Sequence, residues 1–430
     1  VSYLCRFYIK TFSYTKNIKN NLKNDEKTIS KRGIYIGPWL WNTTITYFIE
    51  YSLVHQAKIR EAFKELEEKT CLKFENVKNK KDAEIVFEKA NECSSIIGRR
   101  YDKQTLVKLT DSCSRSKRTV KHEIGHAIGL DHEHQDTNRD DYITVKATLF
   151  KNSLDIRRSA NFSNLRVRYD YGSVMHYGSG HYSKGGKDSI FVKHIEPFNK
   201  VIGRGSAYSF SDIKKINKLY CNLSCESGFG SNCANGGYHY NGKSCLHCIC
   251  PKNFKEYTCR KIQFFKDKKI CNETEQNATE KIKEIHEFGK KTCLFLIKAS
   301  KGHRVRIKLS RVKTKDIGVC EEGQGLEIKY LKDKGITGLA LCGFYHDIEI
   351  VSEGEEVYVE YNGLENDNLF SLEYKEVEDN FLYKYAEVKY KGKCISEDST
   401  KIFHDKQKYG CYTLQTDFLN DSIQISNYGY

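Results

Sequence analysis

The order of apolar and polar positions in the first third of the chain predicts short strands around one amphipathic helix. Thr44–Ile49 is a run of β-branched and aromatic residues, which predicts a strand. Between Leu53 and Thr70, apolar residues recur at helical spacing among lysines and glutamates, and they are Ala57, Ile59, Phe63 and Leu66. Further strands are predicted at Leu72–Phe74, Ala83–Phe87, Ser94–Ile97 and Thr105–Leu109. This order predicts an α+β unit with a mixed sheet.

Two more helices are predicted further along. One begins near Arg118, and the other runs from Ser209 to Leu219 with Ser211 near its cap. Between Gly129 and Ser209 the chain carries few regular signals. Residues 271–376 then alternate apolar and polar positions over short segments, which predicts a β-sandwich. The clearest of these segments are Thr292–Ile297, Val305–Leu309, Leu326–Tyr330 and Glu356–Tyr361.

Cysteine content indicates an oxidising compartment. The chain has 430 residues and 17 cysteines, and so many thiols without a matching metal array are typical of disulfide-bonded, secreted proteins. The length predicts two to four domains, on the basis of roughly 100–200 residues per domain. Asn-x-Ser/Thr sequons agree with secretion, and they lie at Asn42, Asn161, Asn222, Asn272, Asn277 and Asn420.

The net charge is +15, and single lysines spread it through every region. No basic helix with interleaved aromatic residues and no nucleic-acid-binding motif occurs, so a nucleic-acid partner is not predicted. The charge is interpreted as a solvated surface or as an attraction to acidic polysaccharide. No apolar run reaches the roughly 18 residues that a membrane span needs.

Residues 122–132 carry the candidate chemistry of the chain. His122 and His126 lie one turn apart on a helix, so both imidazoles can bind one zinc ion. Glu123 lies beside them and can act on a metal-bound water as a general base. Gly129 can take a left-handed conformation that ends the helix, which lets His132 supply the third ligand. Three protein ligands leave room for water, the arrangement of a catalytic zinc site.

Met175 is the single methionine of the chain and lies in Ser173-Val174-Met175-His176-Tyr177. A lone methionine is often a filler of the core. A metzincin, however, has a methionine in a tight turn beneath its zinc ligands. The position downstream of the zinc motif therefore favours a structural role under the zinc.

Together, these segments resemble the astacin family of zinc endopeptidases over residues 33–222. The similarity runs from His122 through Glu133 and Arg139 to the turn at 173–177. Two positions depart from the family pattern, because Asp136 stands where the family has Arg and Asn138 where it has Asp. Neither is expected to contact the metal, so both bear on local packing.

The resemblance implies roles for further residues. Tyr177 is implied to be a fifth zinc ligand at rest and then a hydrogen-bond donor to the oxyanion. Glu133 is implied to receive the mature amino terminus. Arg204 lies in a region that shapes a substrate pocket in the family, where an arginine would favour acidic residues, although a loop arginine on the surface is the alternative. An extended substrate is expected to add to the sheet edge near Ser94-Ser95.

The resemblance also implies a module order and a disulfide pattern. Residues 223–260 resemble an EGF-like module, with a zinc knuckle as the alternative, and residues 271–376 resemble a CUB domain. The implied pairs are Cys71–Cys221, Cys93–Cys113, Cys225–Cys245, Cys233–Cys248, Cys250–Cys259, Cys271–Cys293 and Cys320–Cys342. We expect Cys394 to pair with Cys411 in an unassigned extension, 377–430, and Cys5 to be left over.

Residues 1–32 lack a hydrophobic period and are interpreted as a linker or the remnant of a pro-region. Lys31-Arg32 precedes Gly33 and is a candidate processing site, or a chance pair in a lysine-rich chain. These features favour a secreted zinc-dependent endopeptidase of a zymogen type. Similar nematode and hatching-enzyme members act on cuticle, egg envelope or connective-tissue matrix.

Two other interpretations stay open. One is a secreted adhesion or matrix-binding protein with an inactive peptidase domain. The other is a zinc hydrolase that acts on non-peptide bonds, which does not account for the modular second half.

Overall fold

The structure is a computed structural model that describes residues 40–100, 103–150, 156–158, 165–181, 183–193, 195–221, 233–240, 244–263, 271, 274–379 and 387–390. Its first region has a five-stranded sheet and three helices. The elements in chain order are β1 Thr44–Ile49, α1 Gln56–Lys69, β2 Lys73–Asn76, β3 Ile85–Lys89, β4 Ser94–Ser95, β5 Thr105–Leu109, α2 Asp111–Arg115 and α3 Lys117–Ala127. The strand order is β2-β1-β3-β5-β4, with β4 antiparallel to β5 and the other pairings parallel. The predicted mixed sheet is confirmed.

The predicted boundaries hold with local corrections. Helix α1 begins at Gln56, three residues after the predicted start, and it buries Ala62 where the sequence pattern had pointed to Ala57, which is exposed. The strand predicted at Ser94–Ile97 is two residues long. These differences arise because burial depends on which helix face meets the sheet.

After α3 the chain has little regular structure, as predicted. Strands β6 (Ile143–Val145) and β7 (Ile190–Val192) form an antiparallel pair, and α4 (Phe210–Tyr220) closes this part. Short 3₁₀ turns cover Lys80–Asp82, Glu133–Gln135, Arg139–Asp141, Ala147–Leu149, Lys184–Gly186 and Glu196–Lys200. The cap of α4 is Ser209 rather than Ser211, because Ser209 and Asp212 form a reciprocal capping box.

Residues 238–262 form two small hairpins. They are β8 (Tyr238–Tyr240) with β9 (Ser244–Ile249), and β10 (Phe254–Lys255) with β11 (Lys261–Ile262). The following strands build two packed sheets, as predicted. They are β12 Glu275–Asn277, β13 Lys283–Phe288, β14 Thr292–Lys298, β15 His303–Lys313, β16 Gly325–Lys329, β17 Leu339–Leu341, β18 Phe344–Tyr345, β19 Ile348–Val351, β20 Glu356–Asn362, β21 Leu369–Glu378 and β22 Glu387–Tyr390.

One sheet of this sandwich has the order β12-β14-β20-β16-β17, and the other has β13-β21-β15-β19-β22 with β18 beside β15. Strand β22 pairs with β19 in antiparallel register. It lies beyond residue 376, so the sheet takes in part of the segment that the sequence had left unassigned.

Disulfides join cysteines within each region. The described bridges are Cys71–Cys221, Cys93–Cys113, Cys233–Cys248, Cys250–Cys259, Cys271–Cys293 and Cys320–Cys342. The pairs expected for Cys225–Cys245 and Cys394–Cys411, and the unpaired Cys5, lie outside the described residues. Cys71–Cys221 ties the end of α1 to the end of α4, which closes the first region on itself.

Two large hydrophobic cores organise the molecule. The first core packs the five-stranded sheet against α1, α3 and α4, and includes Phe87, Ile124 and Met175. The second core joins residues 143–202 to the inside of the sandwich, with Tyr169, Phe198, Phe295 and Leu341 among its members. The sandwich is therefore packed against the peptidase-like region. None of the described helices is long and apolar enough to span a membrane.

Candidate metal centre and active site

Helix α3 presents the first two histidines because both of its ends are fixed. Ser116 caps the start by accepting a hydrogen bond from the amide of Thr119, at 3.2 Å. At the other end, Gly129 has φ 95°, the left-handed conformation that the sequence had predicted. The Leu130 amide then bonds to the Gly125 carbonyl at 2.9 Å, and the chain turns back toward the helix. This reversal brings His132 beside His122 and His126.

The three imidazoles converge on one point. The Nε2 atom of His132 lies 3.2 Å from Nε2 of His122 and 3.1 Å from Nε2 of His126. The structure therefore brings together all three histidines that the sequence had singled out.

Hydrogen bonds on the far side of each ring fix the tautomers. Nδ1 of His122 contacts the Val174 carbonyl at 2.9 Å, Nδ1 of His126 contacts the Leu130 carbonyl at 2.8 Å, and Nδ1 of His132 contacts Oε1 of Gln135 at 2.8 Å. A carbonyl oxygen can only accept, so each Nδ1 carries the proton and each Nε2 presents a lone pair. Three lone pairs about 3 Å apart repel one another unless a cation lies between them. The donor set thus fits a metal ion, and three neutral imidazoles suit zinc.

Burial keeps these rings neutral. Desolvation is the main cause that lowers the pKa of His122 and of His132 well below the usual histidine range, and neighbouring imidazoles add to it. Desolvation also lowers the pKa of His126. Neutral histidine is the form that binds a metal.

Glu123 lies next to this cluster with 6% of its surface exposed. Its Oε2 atom is buried and has no hydrogen-bond partner among the residues that the structure describes. Desolvation raises the pKa of this carboxyl to about 7. A buried carboxylate oxygen without a protein partner is costly, and a water in the metal site could satisfy it.

Met175 packs directly beneath the metal-binding helix. It is 1% exposed, and a Cβ atom at Gly125 would lie 2.5 Å from its Sδ. Gly125 is therefore required for the methionine to approach the helix backbone. The Met175 carbonyl accepts the Glu133 amide at 3.1 Å, which ties this turn to the segment after His132.

Tyr177 lies at the edge of the histidine cluster. Its ring centroid is 4.3 Å from that of His132 and 6.0 Å from that of His122, and it stacks on His134 at 4.1 Å. The side chain is 5% exposed and belongs to the second core. The structure thus gathers Tyr177 with the three candidate ligands.

Glu133 and Arg204 have partners that the sequence had not predicted. Glu133 is 1% exposed, accepts the Asp170 amide at 2.9 Å through Oε1, and pairs with Lys215 through Oε2. Its expected partner, Gly33, lies outside the described residues. Arg204 is 6% exposed and donates to the Thr337 hydroxyl of the sandwich at 3.0 Å. This burial contradicts an arginine that faces a substrate pocket, because the sandwich covers it.

Sequence reasoning missed several residues that support the site. Gln135 orients His132, and Asp212 accepts the Val174 amide at 2.9 Å. Arg118 donates to the His176 carbonyl at 3.2 Å. The one local signal was the spacing of Asp212 and Lys215 on α4, which places two charged residues on a single helix face.

The candidate substrate edge is present as predicted from the sheet order. Strand β4, Ser94–Ser95, is the last strand of its sheet, and the nearby Gly98 amide bonds to the His126 carbonyl at 2.8 Å. An extended peptide could pair with such an edge close to the metal.

Comparisons with known proteins agree with this geometry. Residues 37–221 match the family model of Astacin, which describes a family of peptidases. The chain is 30% identical to zinc metalloproteinase nas-34 of Caenorhabditis elegans over 344 residues, which covers 78% of this chain and 55% of that protein. It is 30% identical to zinc metalloproteinase nas-30 of the same organism over 75% of this chain and 43% of that protein.

The chain thus spans about half the length of the curated relatives that it matches. Among solved structures, it is similar to high choriolytic enzyme 1, a hatching enzyme zinc-protease from Oryzias latipes (Medaka fish). The sequence identity is 28%, the match covers 42% of this chain and 94% of that chain, and the TM-score is 0.39.

Proposed function

The chain belongs to the astacin family of zinc peptidases through residues 37–221, and on that premise we propose that it is a metalloendopeptidase that hydrolyses peptide bonds in proteins. The observation that supports this most directly is the set of three converging Nε2 atoms beside Oε2 of Glu123, which no described residue contacts by a hydrogen bond. A purely structural zinc site would have four protein ligands, whereas three histidines leave a position for water.

His122, His126 and His132 would hold the zinc, which supplies Lewis-acid polarisation of the substrate carbonyl and a more acidic water. Glu123 accepts the proton of the attacking water and passes it to the leaving amine. Its raised pKa, about 7, suits a group that takes up and returns a proton near neutral pH. The Tyr177 hydroxyl donates a hydrogen bond to the carbonyl oxygen as negative charge develops there.

Substrate binding is proposed at the edge of the five-stranded sheet. The backbone of β4 offers hydrogen-bonding groups to an extended peptide, and main-chain pairing of this kind selects little for sequence. Because Arg204 is buried against the sandwich, we assign it no part in a preference for acidic substrates.

The second half of the chain is proposed to bring the peptidase to extracellular targets. We propose an EGF-like module at residues 223–260, a CUB-like domain at 271–376 and a secreted, glycosylated protein that is made as a zymogen. The described disulfides and the exposed sequon residues Asn42 and Asn277 support this setting. Proteins of an extracellular matrix, cuticle or egg envelope are the proposed substrates, and the charge of +15 supports contact with acidic polysaccharide.

The test of the peptidase assignment is Glu123→Ala in the full chain. We expect the variant to bind one zinc per chain and to lose about 10²–10⁴-fold in turnover of a protein substrate, since it lacks the proton acceptor. Glu68→Ala, at an exposed position on α1, is the matched control and should keep full activity. Undiminished turnover by Glu123→Ala would refute the role of Glu123.

The adhesion-protein interpretation makes the opposite prediction. An inactive domain would bind a matrix protein but cleave neither casein nor gelatin when loaded with zinc. The intact set of three histidines and Glu123 favours the peptidase. A heparin column tests the polysaccharide contact separately, and elution at low salt would rule that contact out.

A further inference from the structure

A buried ion pair lies directly behind the third histidine of the metal centre. Glu133 follows His132 in the chain, and Lys215 on α4 meets its Oε2 atom with only 5% of the lysine side chain exposed. The other carboxylate oxygen of Glu133 accepts the Asp170 amide at 2.9 Å. Both oxygens of Glu133 are thus engaged by groups that lie within residues 165–221.

The same helix contacts the metal centre by a second route. Asp212, one turn before Lys215, accepts the Val174 amide at 2.9 Å and the Ser173 hydroxyl at 2.6 Å. The Val174 carbonyl in turn holds Nδ1 of His122 at 2.9 Å. Helix α4 therefore fixes the surroundings of two candidate ligands, His122 through Asp212 and His132 through Lys215 and Glu133.

Charge balance makes Lys215 important at this position. Four carboxylates are buried in this part of the molecule, at Glu133, Asp136, Asp170 and Asp212. The electrostatic partner of Asp170 is Arg204, whereas Glu133, Asp136 and Asp212 all act on Lys215. Removing the lysine would leave Glu133 as a buried charge without a counter-ion, which proteins tolerate poorly.

We propose that Lys215 is the internal counter-ion of Glu133 and a positioning residue for His132, so that the metal centre forms without a free amino terminus at Gly33. The proposal rests on the proposed function in one respect, namely that the bound metal is zinc. It replaces the implied role of Glu133 as the acceptor of a newly made amino terminus. Cleavage after Arg32 would then not be a condition for zinc binding.

Zinc release to a chelator tests the positioning role. In the full chain, Lys215→Met should release zinc at least tenfold faster, because support behind a metal ligand typically changes metal affinity by about 10–100-fold. Lys214→Met is the matched control, since the neighbouring lysine donates to the Gly236 carbonyl at 2.8 Å and does not contact Glu133. Zinc release by this control should match that of the unaltered chain. Equal release rates for Lys215→Met and Lys214→Met would overturn the proposal.

A double variant covers the case in which Lys215→Met fails to fold. Lys215→Met with Glu133→Gln removes both charges, so folding should recover while zinc release stays faster than in the unaltered chain. If the double variant held zinc as well as the unaltered chain, the pair would only neutralise itself, and the positioning role would be wrong.

The amino terminus is tested with Lys31→Ser and Arg32→Ser, which together prevent cutting after the dibasic pair. This 430-residue chain should release zinc within about threefold of the rate of the unblocked chain. Much faster release, corrected by cutting at Gly33, would show that the terminus is required and would overturn the proposal. Normal zinc binding without any peptide cleavage would instead count against the peptidase assignment alone.

Discussion

The two cores that meet at the metal centre are built in different ways. The first core is formed by residues that follow one another closely, since β1 to β5, α1 and α3 all lie between Thr44 and Ala127. The second core joins residues 143–202 to strands that begin more than 70 positions later. The metal-binding helix and Met175 belong to the first core, whereas Tyr177 belongs to the second.

This difference separates metal binding from the proposed stabilisation of the oxyanion. The three histidines are held by a helix and its reversal, both within the first core and its rim. Tyr177 is held by residues whose other neighbours are in the sandwich. We therefore expect damage to the first core to remove zinc, and damage to the second core to reduce turnover while zinc stays bound.

The largest expected effect comes from breaking the first core. Phe87→Ala truncates a fully buried ring on β3 that packs edge-on against Phe63 at 5.7 Å. We expect a loss of about 3–5 kcal/mol in the free energy of unfolding and a loss of zinc with it. Urea denaturation followed by tryptophan fluorescence reports on this core, because Trp41 lies in it.

Phe288→Ala is the control for that experiment. Phe288 is 71% exposed on the sandwich, so its truncation should change the free energy by no more than about 0.5 kcal/mol. A similar loss for both variants would show that the first core does not stand apart.

The next effect separates turnover from zinc binding. Tyr177→Phe keeps the ring on His134 but removes the hydroxyl, so we expect kcat to fall by about 10²–10³-fold while zinc content and stability stay unchanged. Tyr361→Phe is the control, since its hydroxyl donates to the Gly289 carbonyl at 2.9 Å within the sandwich. An unchanged kcat for Tyr177→Phe would remove the tyrosine from the mechanism.

A smaller effect is expected at the contact between the peptidase region and the sandwich. Thr337→Val deletes the hydroxyl that accepts from Arg204, so a buried guanidinium group loses a partner. The expected cost is about 1–3 kcal/mol, measured by thermal melting. Thr279→Val, at an exposed position, should melt like the unaltered chain. Equal melting of both variants would mean that this contact does not hold the two regions together.

The smallest effect is expected for the ion pair between Arg168 and Glu353. Its two contacts, at 3.0 and 2.9 Å, also join the peptidase region to the sandwich, but the arginine side chain is 31% exposed. A double-mutant cycle with alanine at both positions should give a coupling of about 1 kcal/mol or less, which falls as salt is added. The exposed pair Lys58–Glu61 on α1 is the comparison, and a larger coupling there would contradict this ranking.

Much of the first region could be predicted from the sequence because its information is local. The strand at Thr44–Ile49 and the turn at Gly129 were both correctly predicted, since hydrophobic period and glycine conformation act over a few residues. Arg204 shows the limit of such reasoning. Its glycine neighbours are typical of an open loop, but the sandwich covers it, and no local pattern records that contact.

The support behind the histidines was hidden for the same reason. Lys215 lies 82 positions from Glu133, and the two meet only because α4 packs against the segment that follows α3. A lysine on a helix is normally solvated, so the sequence alone favours an exposed side chain. Its burial depends on a carboxylate that comes from a distant part of the chain.

The sequence by itself determined the candidate metal ligands, the candidate base and the two kinds of sheet. Helical spacing and strand alternation are geometric properties of a few consecutive residues. The tertiary structure decided which side chains hold the ligands in place and which regions share a core. Those contacts join residues far apart in the chain, and they form only when packing has offset the cost of burying their charges.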